Sequence, residues 1–245
     1  MPSVERELLN DAPGMTDHAR VISQLLTDRF SCRAYLDDPV PHDVIQTMFA
    51  LSQSAASWCN SQPWQVHVTE GNATERFREA FYGRATADAA ARKMRRASDF
   101  DFPAAYTGVY KERQREVGWQ LYKAVGIEYG DRKASGIQAL ENFRMFGAPH
   151  ALVITTERDL GTYGVLDCGS YLGTLLLAAE SLGIAMIPQA AFASYSPLLR
   201  DFFEIPANRA VVCGASFGYA DMSHPANNFR SRRATLEDVV SWLSE

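Results

Sequence analysis

No apolar run in the chain approaches the ~20 residues that cross a bilayer, so a membrane-spanning helix is not expected. The opening stretch MPSVERELLNDAPGMTDHAR has no basic segment leading into an apolar one, and a secretory signal is not expected either. Cysteine is scarce. Cys32, Cys59, Cys168 and Cys213 lie far apart with no Cys-x-x-Cys pair, which argues against a zinc site or a disulfide framework and for free thiols in a reducing cytoplasm. The five histidines (His18, His42, His67, His150, His224) have no ligand spacing to one another or to a cysteine, and no metal site is expected. Dinucleotide-binding G-x-G-x-x-G after a strand, a phosphate-binding G-x-x-x-x-G-K-[ST], H-E-x-x-H and G-x-S-x-G are all missing. Basic residues are in deficit, 24 against 29 acidic for a net charge of -5, which disfavours nucleic acid and anionic lipid as main partners. With the usual acid-base, nucleophile and metal signatures gone, an enzyme of this kind points to a cofactor that carries the chemistry.

What is there suits a globular protein: 47% hydrophobic and 22% charged residues, without repeats or low-complexity tracts. Its 245 residues are read as a single domain, 1–245. Residues 1–15 read as a loose arm. Periodicity predicts a helix over 17–26, with Val21, Ile22, Leu25 and Leu26 on one face. A second helix follows Pro39 and Pro41, and a strand follows over WQVHVT. The stretch 73–145 is polar, mostly helical in pattern and rich in aromatics. Its basic runs (Arg92, Lys93, Arg95, Arg96; Lys111, Arg113, Arg115) read as solvated helix faces before they read as a binding patch. Core character returns with a strand over 151–156, a long apolar helix over 164–182 ended by Gly183, a short strand IAMIP, a helix capped at Ser196-Pro197 and a central strand over 210–220. Thr235 with Asp238 resembles a capping box for a last helix over 236–243. Helices and strands mix without regular βαβ alternation, so the fold class expected is α+β, a sheet covered by helices.

Four segments carry candidate chemistry. In extended chain Arg29, Ser31 and Arg33 point the same way, a donor cluster suited to a phosphate and nearby hydroxyls. Ser57-Trp58-Cys59-Asn60-Ser61-Gln62-Pro63-Trp64 concentrates amide, hydroxyl and indole groups before a strand, matching the edge of a flat heterocycle. Pro188, Gln189, Ala190 and Ala191 would let backbone N–H groups approach a planar ligand. Arg230, Arg232 and Arg233 close the set, a basic cluster that suggests an anion. Three of them have a plainer reading alone: the first an ordinary basic loop, the second a polar capping loop, the fourth a solvated charge run.

Together the four resemble the nitroreductase superfamily of FMN-dependent NAD(P)H oxidoreductases. The family's R-x-S-x-R/K and following aromatic match Arg29, Ser31, Arg33 and Tyr35. Its P-S-x-x-N-x-Q-P-W loop matches Ser57, Asn60, Gln62, Pro63 and Trp64, with Ala56 in place of the first proline. D-x-G matches Asp167 and Gly169, and the closing G-Y and basic segment match Gly218, Tyr219 and Arg230 to Arg233. The stretches GWQLYKAVGIEYGDR and NFRMFGAP look like the subgroup that reduces nitrobenzoates. The resemblance implies a three-layer fold, a mainly antiparallel sheet flanked by helices, in an intertwined homodimer. It implies FMN bound by Arg29, Arg230 and Arg232 at the phosphate, with Arg233 competing for the last role. Ser31 would meet the ribityl chain, Arg33 the pyrimidine edge, and Pro188, Gln189 and Ala190 the ring. Ser57 and Asn60 would reach in from the second subunit. NADH or NADPH would pass hydride to flavin N5, and a small nitroaromatic acceptor would take it in ping-pong order, with no side chain in a catalytic role. The region 73–145 would form a lid over the acceptor. Its Tyr106, Tyr110, Trp119, Tyr122 and Tyr129 would stack on a nitroarene or pack the lid on the body. One of Arg113, Arg115, Lys123, Arg132 or Arg144 would pair with an acceptor carboxylate. The same fold with another acceptor (a quinone, an enone or a halotyrosine), or FMN binding without catalysis, are the alternatives.

Overall fold

The computed structural model describes residues 13–91 and 97–244; the arm before residue 13 and the basic run Arg92, Lys93, Arg95 and Arg96 lie outside the described residues. The helices among the described residues are α1 Asp17–Asp28, α2 His42–Ser52, α3 Asn72–Ala90, α4 Gly108–Ala124, α5 Arg132–Leu140, α6 Gly161–Ser181, α7 Ala190–Ala193 and α8 Ser196–Phe203. The strands are β1 Gln65–Thr69, β2 His150–Glu157, β3 Ala185–Gln189 and β4 Arg209–Gly218. They form one sheet in the order β1-β2-β4-β3, antiparallel throughout.

Alternation along the central strands builds two cores. Ala151 and Val153 of β2, Ile187 of β3 and Val211 of β4 face a cluster rich in rings, including Phe77, Phe81, Phe143 and Phe192. Leu152 and Ile154, Met186, Ala215 and Phe217 face the other way, onto Ile45 and Met48 of α2 and Cys168, Tyr171 and Leu175 of α6. The expected three-layer α+β arrangement is therefore the observed one. Gly214 of β4 is required by close packing: a Cβ there would collide with the Phe192 ring. Gly183 ends α6 in left-handed backbone, at φ +71, as a helix terminator does.

The first helix forms as expected, Asp17–Asp28, with Val21, Ile22 and Leu26 about half exposed. Two other local expectations need correction. Ser196 is the first residue of α8 and donates to the Ala193 carbonyl, so the cap position falls to Tyr195. The last helix does not form. Thr235 N–H meets the Asp238 carboxylate at 3.3 Å and one turn closes from Leu236, but Leu236, Val239, Trp242 and Leu243 find nothing to pack on and stay exposed. A helical turn without a buried face has little beyond marginal local propensity to hold it.

Candidate functional site

The first arginine segment lies along β3. Ser31 bridges Met186 in parallel, which sends Arg33 on toward Pro188 and Gln189. Tyr35 then bridges Ala220 past the end of β4. The second arginine segment is locked to the first by Asn227, which is 1% exposed and which nothing in the sequence singled out. Its side-chain oxygen accepts the Arg33 N–H at 2.7 Å, and its amide donates to the carbonyls of Ala34 (2.9 Å) and Asp221 (2.8 Å). Its own carbonyl accepts from the Arg230 guanidinium at 2.8 Å. Arg230 also lies 4.0 Å over the Phe30 ring, and Arg33 is 5.6 Å from the Phe229 ring.

The segment from Arg29 to Arg33 thus lies along β3, with Pro188, Gln189 and Ala190 toward its Arg33 end and Arg230 tied to it through Asn227. Burial depresses the guanidiniums of Arg29, Arg33 and Arg230, and at Arg29 the positive charge of Arg233 adds to it, while Glu180 on α6 acts in the opposite sense on Arg29 and Arg230. Desolvated like charges held together are costly unless an anion joins them. Arg232 is turned elsewhere, to Glu116 of α4 at 2.5 Å, so of the two competing arginines it is Arg233 that faces Arg29. Guanidinium, hydroxyl and backbone N–H donors in this order fit a phosphate, a polyol chain and a flat heterocycle, which is the donor set FMN needs.

The Gln189 side chain does not turn toward the arginines. It is 2% exposed; its oxygen accepts from the Ser216 hydroxyl and its amide donates to the Asn142 carbonyl at 2.8 Å. Only its backbone, at the end of β3, is left for a ligand.

Ser57 and Asn60 are not with the arginines. Their loop is fastened to the start of α6 by Asp167, 6% exposed, whose carboxylate accepts the Trp58 N–H at 3.0 Å and the Ser61 hydroxyl at 3.1 Å. Cys59, Asn60 and Gln62 all adopt positive φ (51, 56 and 44), and such a loop holds only where its surroundings over-determine it. Glu180, which senses Arg29, is thirteen residues beyond Asp167 on the same helix, about 20 Å at 1.5 Å per residue. Within one protomer the loop and the arginine segments therefore meet α6 thirteen residues apart. On the same helix, which α1 packs against, Tyr163 and Leu166 are more than half exposed, and Gly169, Ser170 and Gly173 are exposed too.

The segment 108–140 is helical as expected and carries Trp119 stacked on Tyr129 (5.2 Å) and edge-on to Tyr122 (5.8 Å). These rings pack on each other. Arg144 is occupied by Glu141 at 3.2 Å and by the Tyr82 ring. Burial lifts the Cys168 thiol to about 11 and the Cys213 thiol to about 12, which keeps both protonated and unreactive. Among the described residues no group of His, Cys, Asp and Glu could hold a metal ion, and no described helix is long and apolar enough to cross a membrane.

Comparison with known proteins agrees with this geometry. The model of the nitroreductase family matches residues 26–219. A protein named 4-nitrobenzoate reductase from Nocardioides sp. is 31% identical over 227 residues, covering 89% of this chain and 88% of that one. A 4-nitrobenzoate reductase of Pseudomonas putida is 33% identical, covering 89% and 97%. The crystal structure of the FMN-dependent nitroreductase NfnB from Mycobacterium smegmatis in complex with NADPH superposes with a TM-score of 0.85 at 33% identity, covering 93% of this chain and all of that one.

Proposed function

The chain belongs to the nitroreductase family, and on that footing we propose that it is an FMN-dependent NAD(P)H oxidoreductase that reduces nitroaromatic compounds. The observation that carries the reading is the junction of the Ser31–Met186 bridge with Asn227, which runs the segment from Arg29 to Arg33 along β3 and ties Arg230 to it. FMN held there would supply two-electron hydride chemistry at N5 between NAD(P)H and the acceptor, in ping-pong order.

The chain's own residues bind and orient. Arg29 and Arg230 hold the phosphate, with Arg233 better placed than Arg232 to join them. Ser31 meets the ribityl chain, and Arg33 puts a positive charge at the pyrimidine edge, where a cation favours the reduced ring. The backbone of Pro188, Gln189 and Ala190 faces the ring. Ser57 and Asn60 serve a second copy's cofactor across an interface made by α1 and α6, so the working unit is a homodimer with two sites. The region 73–145 bounds the acceptor position. No side chain need act as nucleophile or metal ligand, and protons come from water. The relatives named for 4-nitrobenzoate reduction make a nitrobenzoate the acceptor to try first.

The test is spectroscopic. The purified protein is expected to show a flavin band that bleaches on anaerobic addition of NADPH or NADH and returns when 4-nitrobenzoate is added. A flavin that neither nicotinamide bleaches would point to FMN storage. A colourless protein that FMN cannot reconstitute would overturn the reading.

A further inference from the structure

We propose that Gln189 is a positioning residue that fastens the acceptor lid to the flavin-facing strand, and that its side chain does not touch the cofactor. The inference rests on the functional reading above, with the lid over 73–145 and the end of β3 facing the ring. The family resemblance puts Gln189 against the ring, between Pro188 and Ala190. The structure gives its carboxamide two other partners, Ser216 and Asn142. The oxygen takes the hydroxyl of Ser216, which is 0% exposed, and the amide reaches the main-chain carbonyl of Asn142 at 2.8 Å. Ser216 in turn accepts the Tyr35 hydroxyl on its own carbonyl at 2.9 Å. A line of hydrogen bonds therefore runs from the arginine segment through β4 and β3 to Asn142.

Asn142 lies two residues past α5, where the lid re-enters the body. That re-entry is strained. Met145 and Phe146 are buried at φ 58 and 53, backbone that bulky side chains seldom adopt. The Arg78 guanidinium holds the far side of the turn through the carbonyls of Arg144 (2.6 Å) and Ala148 (2.8 Å), and Gln189 holds the near side. A strained turn keeps its shape only while such anchors hold it. Gln189 is the anchor that belongs to the strand facing the flavin, so it sets the gap between lid and ring, where reductant and acceptor bind in turn.

Gln189→Met fills the same volume and removes both hydrogen bonds, while Ser216→Ala leaves the donor to Asn142 in place. Losing a buried hydrogen bond in Gln189→Met is expected to raise KM for NADPH and for 4-nitrobenzoate about tenfold, with kcat within about threefold of the parent. The flavin band and FMN affinity should stay as in the parent, and amide hydrogen exchange over 141–147 should quicken. Ser216→Ala should show the same changes in weaker form. A shifted flavin band or weakened FMN binding, with exchange over 141–147 unmoved, would put the side chain on the cofactor and overturn the inference while leaving the function intact. If the parent itself binds no flavin, the functional reading fails. Exchange over 141–147 then decides the tether alone, and an unchanged rate in both variants would sink it. Should Gln189→Met not fold, exchange and KM in Ser216→Ala decide between the same two outcomes.

Discussion

Arg230 and Arg232 are two residues apart and would look interchangeable in a basic run. Their surroundings separate them. Arg230 is drawn in by Asn227 and the Phe30 ring, whereas Arg232 is three-quarters exposed on its ion pair with Glu116. Arg230→Ala is expected to weaken FMN binding at least about tenfold, the scale of one lost charge-assisted contact, and Arg232→Ala to leave it nearly unchanged. Flavin fluorescence titration of the two variants checks this. His150 supplies a pH dependence at the same scale. It is 1% exposed; Nε2 accepts the Val40 N–H at 2.9 Å and Nδ1 lies 3.4 Å from the Thr69 carbonyl, so the ring is held neutral. Burial lowers its proton affinity, and the hydrogen bond to Thr69 offsets this only in part. An imidazole held below its ordinary value binds its proton less readily folded than unfolded. Stability is then complete above about pH 6.5 and falls as the pH drops below it. Gln reproduces the Nε2 acceptor without titrating. Thermal melts between about pH 7.5 and 5.5, the range that brackets an ordinary imidazole, should therefore fall less steeply for His150→Gln than for the parent.

At the scale of elements, the segment after residue 97 hangs on Asp99. Its carboxylate accepts from Arg158 (2.6 Å), Arg200 (2.5 Å) and the Val211 N–H (2.7 Å), tying the segment after residue 97 to α8 and to the start of β4. Burial works against its charge, and these three donors outweigh burial and hold it below the usual carboxylate range. Asp99→Asn is expected to cost about 2 kcal/mol, or about 4–8 °C in Tm for a chain of this size. Calorimetry reads the loss, and a melting point equal to the parent's would refute the role. Most elements were legible because their apolar residues repeat at 2 or 3.6. The predicted strands lie within a residue or two of the observed ones, and α6 begins three residues early. The helix over 236–243 failed because a capping box marks where a helix can start, not whether a surface exists for it to bury against.

For the whole molecule, the proposal that a second copy completes each site falls on the exposed residues of α6, because the loop of Ser57 and Asn60 meets that helix at Asp167, thirteen residues or about 20 Å from Glu180. Leu166→Glu places a charge on that face, 63% exposed in the single chain and therefore harmless to its folding. The expected result is a folded monomer by light scattering that has lost both FMN and nitroreductase activity. A monomer that keeps its flavin would show that one chain makes the whole site.

The sequence by itself determined the chemistry on offer and the layers that carry it. Charged and polar residue types are read directly from the chain, and alternation along a strand assigns each side chain to a core before any partner is known. Spacing alone also argued against metal and nucleophile chemistry. Only the tertiary structure decided which of those groups meet. Asn227 binds Arg33 across 194 residues, Asp167 holds Trp58 across 109, and Gln189 reaches back to Asn142 across 47. Hydrogen bonds of that span leave no periodic trace in the chain, because they depend on which elements the sheet and α6 set side by side. For the same reason the Gln189 side chain, which the family resemblance set beside the ring, turned inward: a buried carboxamide goes where both its donor and its acceptor are satisfied, and Ser216 of β4 and the Asn142 carbonyl supplied both.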